Sequence, residues 1–510
     1  MEMVIELCVR SSKAWNNIEK GLNDNISSSR VGKYFKLDEK KSCFTREFRA
    51  ATTTFLAMAY VITVVSTLLS DTGGTCPTPS PSPSPEEPNM EYDNCISVVK
   101  SDLIVAISLA GMMGCFAMGL LANLPFGLAP GTGQTMYMAY NLVGIHGSGP
   151  MSYSNALGLW IVEALFFIAI SATGLRAKLG RLIPPSVGLA CAVGMGLFMA
   201  FIGLQSQQGV GLIGPDPSSI VRLLSLKSLT LWLGIVGFLI MSYGQAHEIK
   251  GSMIYGILFV TTISWFRGTS VTYFPKTVDG EARYKYFKKV VDFHKIKKIA
   301  GKISLTDFSK GTTWVSLFTL LYIDILATTG TLYTLAEIGG FINDKGSFEN
   351  EYIAYLIDAS VTVVGSALGV PPVATYTESS TGMKEGGRTG LTAVIIGIFF
   401  FLALFFAPLL INVPPWAIGP SLVMIGVIMM RVAKDIEWGN FKEAIPAFIT
   451  IILMPFTNSI PNGIIGGLGV YVVLHFHEWI AWLVKSVLKP RKKKEIESDA
   501  IGADNTSEIP

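Results

Sequence analysis

The sequence is poor in charged residues, and it lacks the motifs that most enzymes need. Only 15% of its 510 residues are Asp, Glu, Lys or Arg, whereas a typical soluble protein carries about 25%. It has no metal-ligand spacing, no GxSxG segment and no phosphate-binding loop. Its six cysteines are too few for a disulfide scaffold, and none has the setting of a nucleophile. We therefore expect no enzymatic activity, no catalytic residue, no metal and no cofactor.

Apolar residues are abundant instead. They make up 50% of the chain and occur as separate runs of about 20, the length that spans a bilayer. The sequence therefore predicts an all-α polytopic membrane protein with the lipid bilayer as its principal partner. The net charge of +3 gives no reason to expect a nucleic-acid partner. Residues 1–20 lack the order of a signal peptide, so the first span is the expected targeting signal.

Fourteen membrane spans are predicted, numbered here in chain order. Their ranges are 48–70, 101–123, 124–140, 155–173, 186–204, 229–244, 250–266, 313–336, 352–368, 369–391, 389–411, 416–431, 443–458 and 462–486. An even number places both termini on one side, and basic residues at both ends predict that this side is the cytoplasm. The lysines of 267–311 would then lie outside, but long loops follow the rule weakly.

These spans divide the chain into five regions. They are a cytoplasmic N-terminal region (1–47), a first seven-span repeat (48–266), a polar inter-repeat loop (267–311), a second seven-span repeat (312–487) and a disordered tail (488–510). Seven spans per repeat make the second copy enter the membrane from the opposite face. The pattern therefore predicts a 7+7 inverted repeat.

Spans 3 and 10 are broken by proline and glycine. In Gly369–Leu391, Pro371 and Pro372 prevent a continuous helix. The β-branched and aromatic residues after them predict a short strand before a half-helix. Leu124–Tyr140 repeats this design in the first half. Two broken helices in corresponding positions are the best sequence sign of a transporter's substrate site.

Several acidic residues lie in or beside the apolar runs, and four of them are candidates for function. Glu163 is in span 4, Asp324 is in the middle of span 8, Glu337 is near its cytoplasmic end, and Glu378 is at the span 10 junction. Each is a functional candidate because an ionisable group in a membrane is costly. Asp324 and Glu378 can accept hydrogen bonds from a heterocycle and carry a coupling proton. Thr328 shares the helix face of Asp324 at i+4.

Each of these residues also has a structural interpretation. Thr375 and Glu378 have the spacing of a capping box, in which Glu378 satisfies a helix-start N–H. Asp324 can bond the backbone of a broken element, and Thr328 can bond its own helix. For Glu163 the structural interpretation is the favoured one.

Cys76 and Cys95 flank a Pro/Ser-rich stretch, CPTPSPSPSPEEP. If that loop faces an oxidising compartment, the two residues can form a disulfide. In a reducing compartment they stay free, and the sequence leaves both outcomes open.

Four segments together resemble one transporter family. They are LAPGTGQTMYMAY (128–140), YIDILATTGTLY (322–333), ESSTGMKEGGRTGLTAV (378–394) and EAIPAFITIILMPFT (443–457). They look like the AZG (AzgA-like) permeases for adenine, guanine and hypoxanthine, within the nucleobase–ascorbate transporter superfamily. FIGLQSQQGVGLIG and SWFRGT look like the plant members. The resemblance extends from Val31 to Lys485.

The resemblance implies a core domain of spans 1–4 and 8–11 that holds the substrate. A gate domain of spans 5–7 and 12–14 would mediate a homodimer. It also implies transport of purine bases, or of cytokinins in plants, coupled to protons. The predicted substrate-binding residues are Glu378, Asp324, Thr135, Gln134, Thr328 and Thr377, of which Glu378 and Asp324 are the proton-coupling candidates. We expect the protein in the plasma membrane, with the endoplasmic reticulum as the alternative.

The sequence departs from the family at three polar positions. Thr135 stands where the family usually has the Asn of Asn-Ala-Tyr, and Ala327 replaces the Asp of Asp-Thr-Thr-Gly. Val65 lies where span 1 usually carries Asn. Gln134, next to Thr135, is a candidate to replace the missing Asn amide.

The sequence therefore predicts a secondary active purine or cytokinin symporter. Two alternatives stay open. One is a carrier of the same architecture for another solute, such as uracil or ascorbate. The other is a paralogue that binds purines without moving them. An anion carrier should place a basic residue where spans 3 and 10 meet, and the sequence shows none there.

Overall fold

The structure, a computed structural model, describes residues 19–77, 90–173, 184–206, 209–214, 221–249, 251–343, 347–457, 460 and 462–476. The predicted tail (488–510), the end of span 14 and the start of the N-terminal region lie outside the described residues.

Nine helices in these ranges are long and apolar enough to cross a membrane. They are Phe44–Ser70, Asn94–Ala122, Tyr153–Ala172, Ser186–Leu204, Leu229–Ala246, Gly311–Gly339, Glu351–Leu368, Gly390–Leu410 and Pro415–Asp435. Three shorter apolar helices lie at predicted spans 7, 13 and 14: Ser252–Trp265, Phe441–Phe456 and Asn462–Phe476. The helical membrane class is confirmed, whereas the count of fourteen spans stays a prediction.

Several of these helices change geometry along their length. The first consists of Phe44–Met58 and Tyr60–Ser70, so that Tyr60 directly follows the break. Span 2 ends in a π-helical turn, and span 11 continues through a short 3-10 segment. The remaining helical bounds are Arg30–Tyr34, Met90–Ala117, Met118–Ala122 (π), Ile145–Gly147 (3-10), Pro185–Leu204, Val278–Phe287, Thr306–Ser309 (3-10), Gly390–Ala403, Leu404–Phe406 (3-10), Ala407–Leu410, Pro415–Met430 and Arg431–Asp435 (3-10).

Within the described ranges, four short strands form two antiparallel pairs. They are β1 (Leu128–Pro130), β2 (Ile213–Gly214), β3 (Arg222–Leu223) and β4 (Val373–Thr375). β1 pairs with β4 so that Leu128 lies opposite Thr375 and Pro130 opposite Val373. β2 pairs with β3. The β1–β4 pair joins the two broken spans.

Each broken span continues as a half-helix after its strand. β1 leads into Thr132–Met136 and a π-helical segment, Tyr137–Val143. β4 leads into Ser379–Lys384. The prolines before each half-helix cannot donate the N–H that a continuous helix needs, so the chain stays extended there. The extended piece predicted after Pro371 and Pro372 is strand β4.

The chain divides into two compact units. One comprises Met1–Ile183 and Met195–Met430, and it contains both broken spans. The other comprises Pro184–Gly194 and Arg431–Pro510. Within the second unit, Ala190, Val193, Ile436 and Ala447 form a buried apolar cluster. The assignment of spans to a core and a gate domain stays a prediction.

The inter-repeat region, 267–311, is attached to span 2 through Asp102. The carboxylate of Asp102 is fully buried and accepts hydrogen bonds from the backbone N–H groups of Lys297 and Lys298, at 2.9 and 2.6 Å. Nε2 of His294 lies 2.6 Å from its other oxygen. Cys76, shortly after span 1, forms a disulfide with Cys95 in the helix Met90–Ala117.

Candidate functional site

The two broken spans satisfy each other's backbone at the point where they cross. The N–H of Gly131 donates to the carbonyl of Pro372 at 2.9 Å, and the N–H of Tyr376 donates to Gly127 at 3.0 Å. The Tyr376 hydroxyl donates to the carbonyl of Pro130 at 2.6 Å. Extended backbone is tolerated at membrane depth only when such partners cover it. The crossing therefore gives a fixed frame for the side chains around it.

Glu378 lies at the end of this frame, immediately before the half-helix Ser379–Lys384. The Tyr60 hydroxyl donates to Oε1 of Glu378 at 2.8 Å, and the Thr377 hydroxyl donates to Oε2 at 3.2 Å. The Glu378 side chain is half-buried. A carboxylate offers about four acceptor positions, so it can bind further donors from a ligand.

The capping-box interpretation of Thr375 and Glu378 is wrong. Glu378 is itself the N-cap residue, and no side chain caps the half-helix. The Thr375 hydroxyl donates instead to Oδ1 of Asp358 at 3.2 Å. Thr375 and Glu378 therefore do not form a reciprocal cap at the start of this helix.

Asp324 connects span 8 to the other broken span. Nε2 of Gln134, in the half-helix after β1, donates to Oδ1 of Asp324 at 3.1 Å. Both side chains are buried, with 6% and 2% of their surface exposed. A hydrogen bond to a buried carboxylate is stronger than one between neutral groups. Asp324 thus holds the half-helix of span 3 through Gln134, one of the predicted substrate-binding residues.

Thr135 and Thr377 play smaller roles in this arrangement. Thr135 is fully buried, and its hydroxyl donates to the carbonyl of Gly131 one turn earlier, at 2.7 Å. Thr377 is exposed and bonds the neighbouring Glu378. No described hydrogen bond joins either of these side chains to Asp324.

Asp358, in span 9, was missed by the sequence analysis. Its carboxylate is buried and accepts hydrogen bonds from the Thr328 hydroxyl at 3.0 Å and from the Thr375 N–H at 3.1 Å. The Thr375 hydroxyl is a third donor. Thr328 therefore bonds neither its own helix nor Asp324. The signal that could have found Asp358 is the one used for Asp324, a single acid inside an apolar run.

Glu163 and Glu337 have opposite surroundings. Glu163 is fully buried, and among the described residues neither of its carboxylate oxygens has a hydrogen-bond partner. It interacts electrostatically with Asp324 and Asp358. Glu337 is exposed at the far end of span 8 and lies outside the site. Tyr60 was also missed, and a tyrosine in an apolar run gives no sequence signal of this role.

The fold and the site together define a class of protein. Two broken spans that meet as antiparallel strands, beside buried or half-buried carboxylates, are the construction of a secondary transporter. A sequence model of the permease family matches residues 91–466. The chain belongs to this family, within the nucleobase–ascorbate transporter superfamily, and it is a transporter rather than an enzyme. The family resemblance found in the sequence is confirmed at this level.

Individual relatives agree with this assignment. The chain is 39% identical to an efflux pump, NotK′, of Aspergillus versicolor, over 90% of this chain and 84% of that protein. It is 38% identical to a putative xanthine/uracil permease of Schizosaccharomyces pombe, over 88% and 76%. It is 30% identical to the guanine/hypoxanthine permease PbuG of Bacillus subtilis, over 86% and 92%.

Solved structures share the fold at low sequence identity. The transmembrane domain of the cyanobacterial bicarbonate transporter BicA matches with a TM-score of 0.54 and 15% identity, covering 82% of this chain and 97% of that domain. At this identity the likeness concerns the fold alone.

Proposed function

We propose that this protein is a secondary active transporter of purine nucleobases such as adenine, guanine and hypoxanthine, driven by proton symport. The observation that carries the proposal is the half-buried Glu378 carboxylate, held by Tyr60 at the crossing of the broken spans. Purine bases present ring N–H groups, and adenine and guanine add an exocyclic amine. A carboxylate with acceptor positions to spare is a suitable partner for these donors.

The second broken span supports the same substrate class. Gln134 donates one amide hydrogen to Asp324, which leaves an amide oxygen and a second N–H on this side chain. Purine rings carry both acceptor nitrogens and donor N–H groups, so a neutral amide can bind either edge. The site would then contact the base with a carboxylate from span 10 and an amide from span 3.

The relatives' names are consistent with purines but do not select one. One relative is named as a guanine/hypoxanthine permease and another as an adenine permease, AdeQ of Escherichia coli. We extend the proposal to cytokinins, which are substituted adenines. We also propose a homodimer through spans 5–7 and 12–14, a plasma-membrane location and two cytoplasmic termini.

Radiolabelled adenine uptake tests the proposal. The full-length protein is expressed in cells that lack their own purine carriers, and uptake is measured with and without a protonophore. We expect saturable uptake that the protonophore abolishes. Uptake that resists the protonophore would remove the proton coupling and keep the transport. Competition by unlabelled adenine, guanine, hypoxanthine, a cytokinin and uracil then ranks the substrates.

A carrier for a different solute is the second candidate. The family's usual polar residues are missing at Thr135, Ala327 and Val65, and one relative carries a name with uracil and another is named an efflux pump. A pocket with fewer polar groups suits a ligand with fewer polar edges. If uracil competes better than any purine, this candidate replaces the first. Binding of labelled adenine without uptake would instead identify a non-transporting paralogue.

A further inference from the structure

Glu163 differs from the other buried carboxylates of the described residues. Glu47 accepts hydrogen bonds from Ser42 and from the backbone of Arg388, and Asp102 and Asp358 are each bonded by several donors. Glu163 alone among them has two oxygens that no donor reaches. Its side chain is completely enclosed.

The surroundings of Glu163 make an ionised carboxylate unfavourable. The span 4 helix packs against the helices of spans 8 and 9. Phe167, one turn after Glu163, forms a buried cluster with Ile325 and Ala359, the residues that directly follow Asp324 and Asp358. The three acids therefore converge where these helices meet, and a buried charge with neither donor nor counter-ion is strongly disfavoured.

The other groups described here that face span 4 supply Glu163 with neither a hydrogen-bond donor nor a positive charge. The segment Tyr137–Val143 also packs on the span 4 helix. The hydroxyl of Tyr137 is hydrogen-bonded to Ser316, and that of Tyr140 lies 3.5 Å from Asp71. The charged neighbours of Glu163 in the described residues are thus Asp324 and Asp358, which have the same sign.

We propose that Glu163 is the group that binds the coupling proton of the transport cycle. Its carboxylate takes up one H⁺ when the site opens to the outer solution, remains a neutral acid while it is enclosed, and releases the H⁺ to the inner solution. Glu378 then serves substrate rather than the proton. This inference rests on the proposed function. It assigns substrate binding and proton coupling to different residues, whereas the sequence alone predicts both roles for Glu378 and Asp324.

A proton fits this place better than a metal cation. In the described part of the chain, no three His, Cys, Asp or Glu residues come close enough together to hold a metal ion. The oxygens of Asp324 and Asp358 already accept hydrogen bonds from Gln134, Thr328 and Thr375. A single oxygen of Glu163 is sufficient for a proton.

The position of Glu163 also links the proton to the substrate site. Asp324 holds the half-helix of span 3 through Gln134, and Asp358 holds β4 through Thr375. An ionised Glu163 would repel both acids and loosen both contacts, whereas a neutral Glu163 would leave them intact. Protonation would therefore favour the arrangement in which both broken spans are in place to bind a base.

The test uses full-length protein in liposomes and two adenine assays. One measures accumulation driven by an imposed pH gradient, and the other measures exchange of labelled for unlabelled adenine without a gradient. Glu163→Gln mimics the neutral acid, so we expect gradient-driven accumulation to fall to the level seen without a gradient while exchange persists. Glu163→Asp keeps an ionisable group and should retain accumulation, with a displaced pH profile. Glu337→Gln, an exposed acid, should behave like the wild type in both assays.

The outcomes separate the two proposals. Gradient-driven accumulation by Glu163→Gln at the wild-type level overturns this inference and leaves the proposed function standing. Wild-type protein that neither accumulates nor exchanges adenine overturns both. If Glu163→Gln does not fold, the protonation of residue 163 is tested by comparing the infrared spectra of the wild-type protein and Glu163→Asp. The inference requires a carboxylic-acid band at neutral pH that changes between these two proteins, and its absence from the wild type contradicts it.

Discussion

The two broken spans have the same backbone plan but carry different chemistry. Each has a strand of three residues followed by a half-helix, and the strands pair with each other. Span 10 brings its own carboxylate, Glu378, whereas span 3 brings only the neutral Gln134 and Thr135 near the crossing. The carboxylate beside span 3 belongs to span 8, as Asp324.

This difference shows how the second half of the chain controls both elements. Asp358 fixes the strand of span 10, and Asp324 fixes the half-helix of span 3. Both acids come from neighbouring helices, Gly311–Gly339 and Glu351–Leu368. We therefore expect span 10 to determine whether a base binds at all, and span 3 to adjust how tightly it binds.

The largest effect is expected for Glu378→Gln. The amide keeps the size of the side chain but removes the charge and part of the acceptor capacity. Loss of one hydrogen bond to a charged acceptor corresponds to about 10- to 100-fold in affinity, and the bond that remains becomes weaker because its acceptor is neutral. Adenine uptake in carrier-deficient cells should fall to background, with normal amounts of protein in the membrane. Glu385→Gln, at the end of the same half-helix in an ion pair with Arg49, is the matched control and should stay active.

Asp358→Ala is also expected to lose uptake, because it lowers the stability of the protein rather than removing a contact with the base. This change leaves the Thr328 hydroxyl and both donors of Thr375 buried without an acceptor, and each such group costs about 1–3 kcal/mol. Thermal unfolding of the purified protein in detergent should show a clearly lower midpoint, and uptake should fall with it. Asp358→Asn keeps one acceptor and should lie between this variant and the wild type. Equal midpoints for all three proteins would show that Asp358 does not hold β4.

Much of this arrangement could be predicted from the sequence. Pro371 and Pro372 in an apolar run exclude a continuous helix, and Asp324 stands out because acids in membrane spans are costly. The partners could not be predicted, because hydrogen bonds such as Tyr60 to Glu378 join residues far apart in the chain. Asp358 carried the same signal as Asp324 and was overlooked. The predicted capping box does not form because the Thr375 hydroxyl donates to the carboxylate of Asp358, which is a stronger acceptor.

An intermediate effect is expected for Gln134→Ala in span 3. The change removes the amide groups proposed to bind the base, together with the donor to the buried Asp324 carboxylate. Loss of one hydrogen bond between neutral groups corresponds to about 2- to 10-fold in affinity. The concentration of adenine that gives half-maximal uptake should rise, with little change in the maximal rate. Unchanged uptake by Gln134→Ala would mean that the amide does not act on the substrate side of span 3.

The smallest effect is expected for Thr135→Asn, which restores the family's usual residue next to Gln134. If Gln134 replaces a missing Asn amide, Thr135→Asn should recover part of the activity lost in Gln134→Ala, while it changes the wild type little. Thr135 is fully buried and its hydroxyl bonds Gly131, so the larger Asn also costs about 1–3 kcal/mol through overpacking. Recovery should therefore be partial and is best measured as half-maximal adenine concentrations for the four proteins of the double-mutant cycle. Additive effects in that cycle would show that the two positions act independently, and that Gln134 serves Asp324 rather than standing in for the Asn.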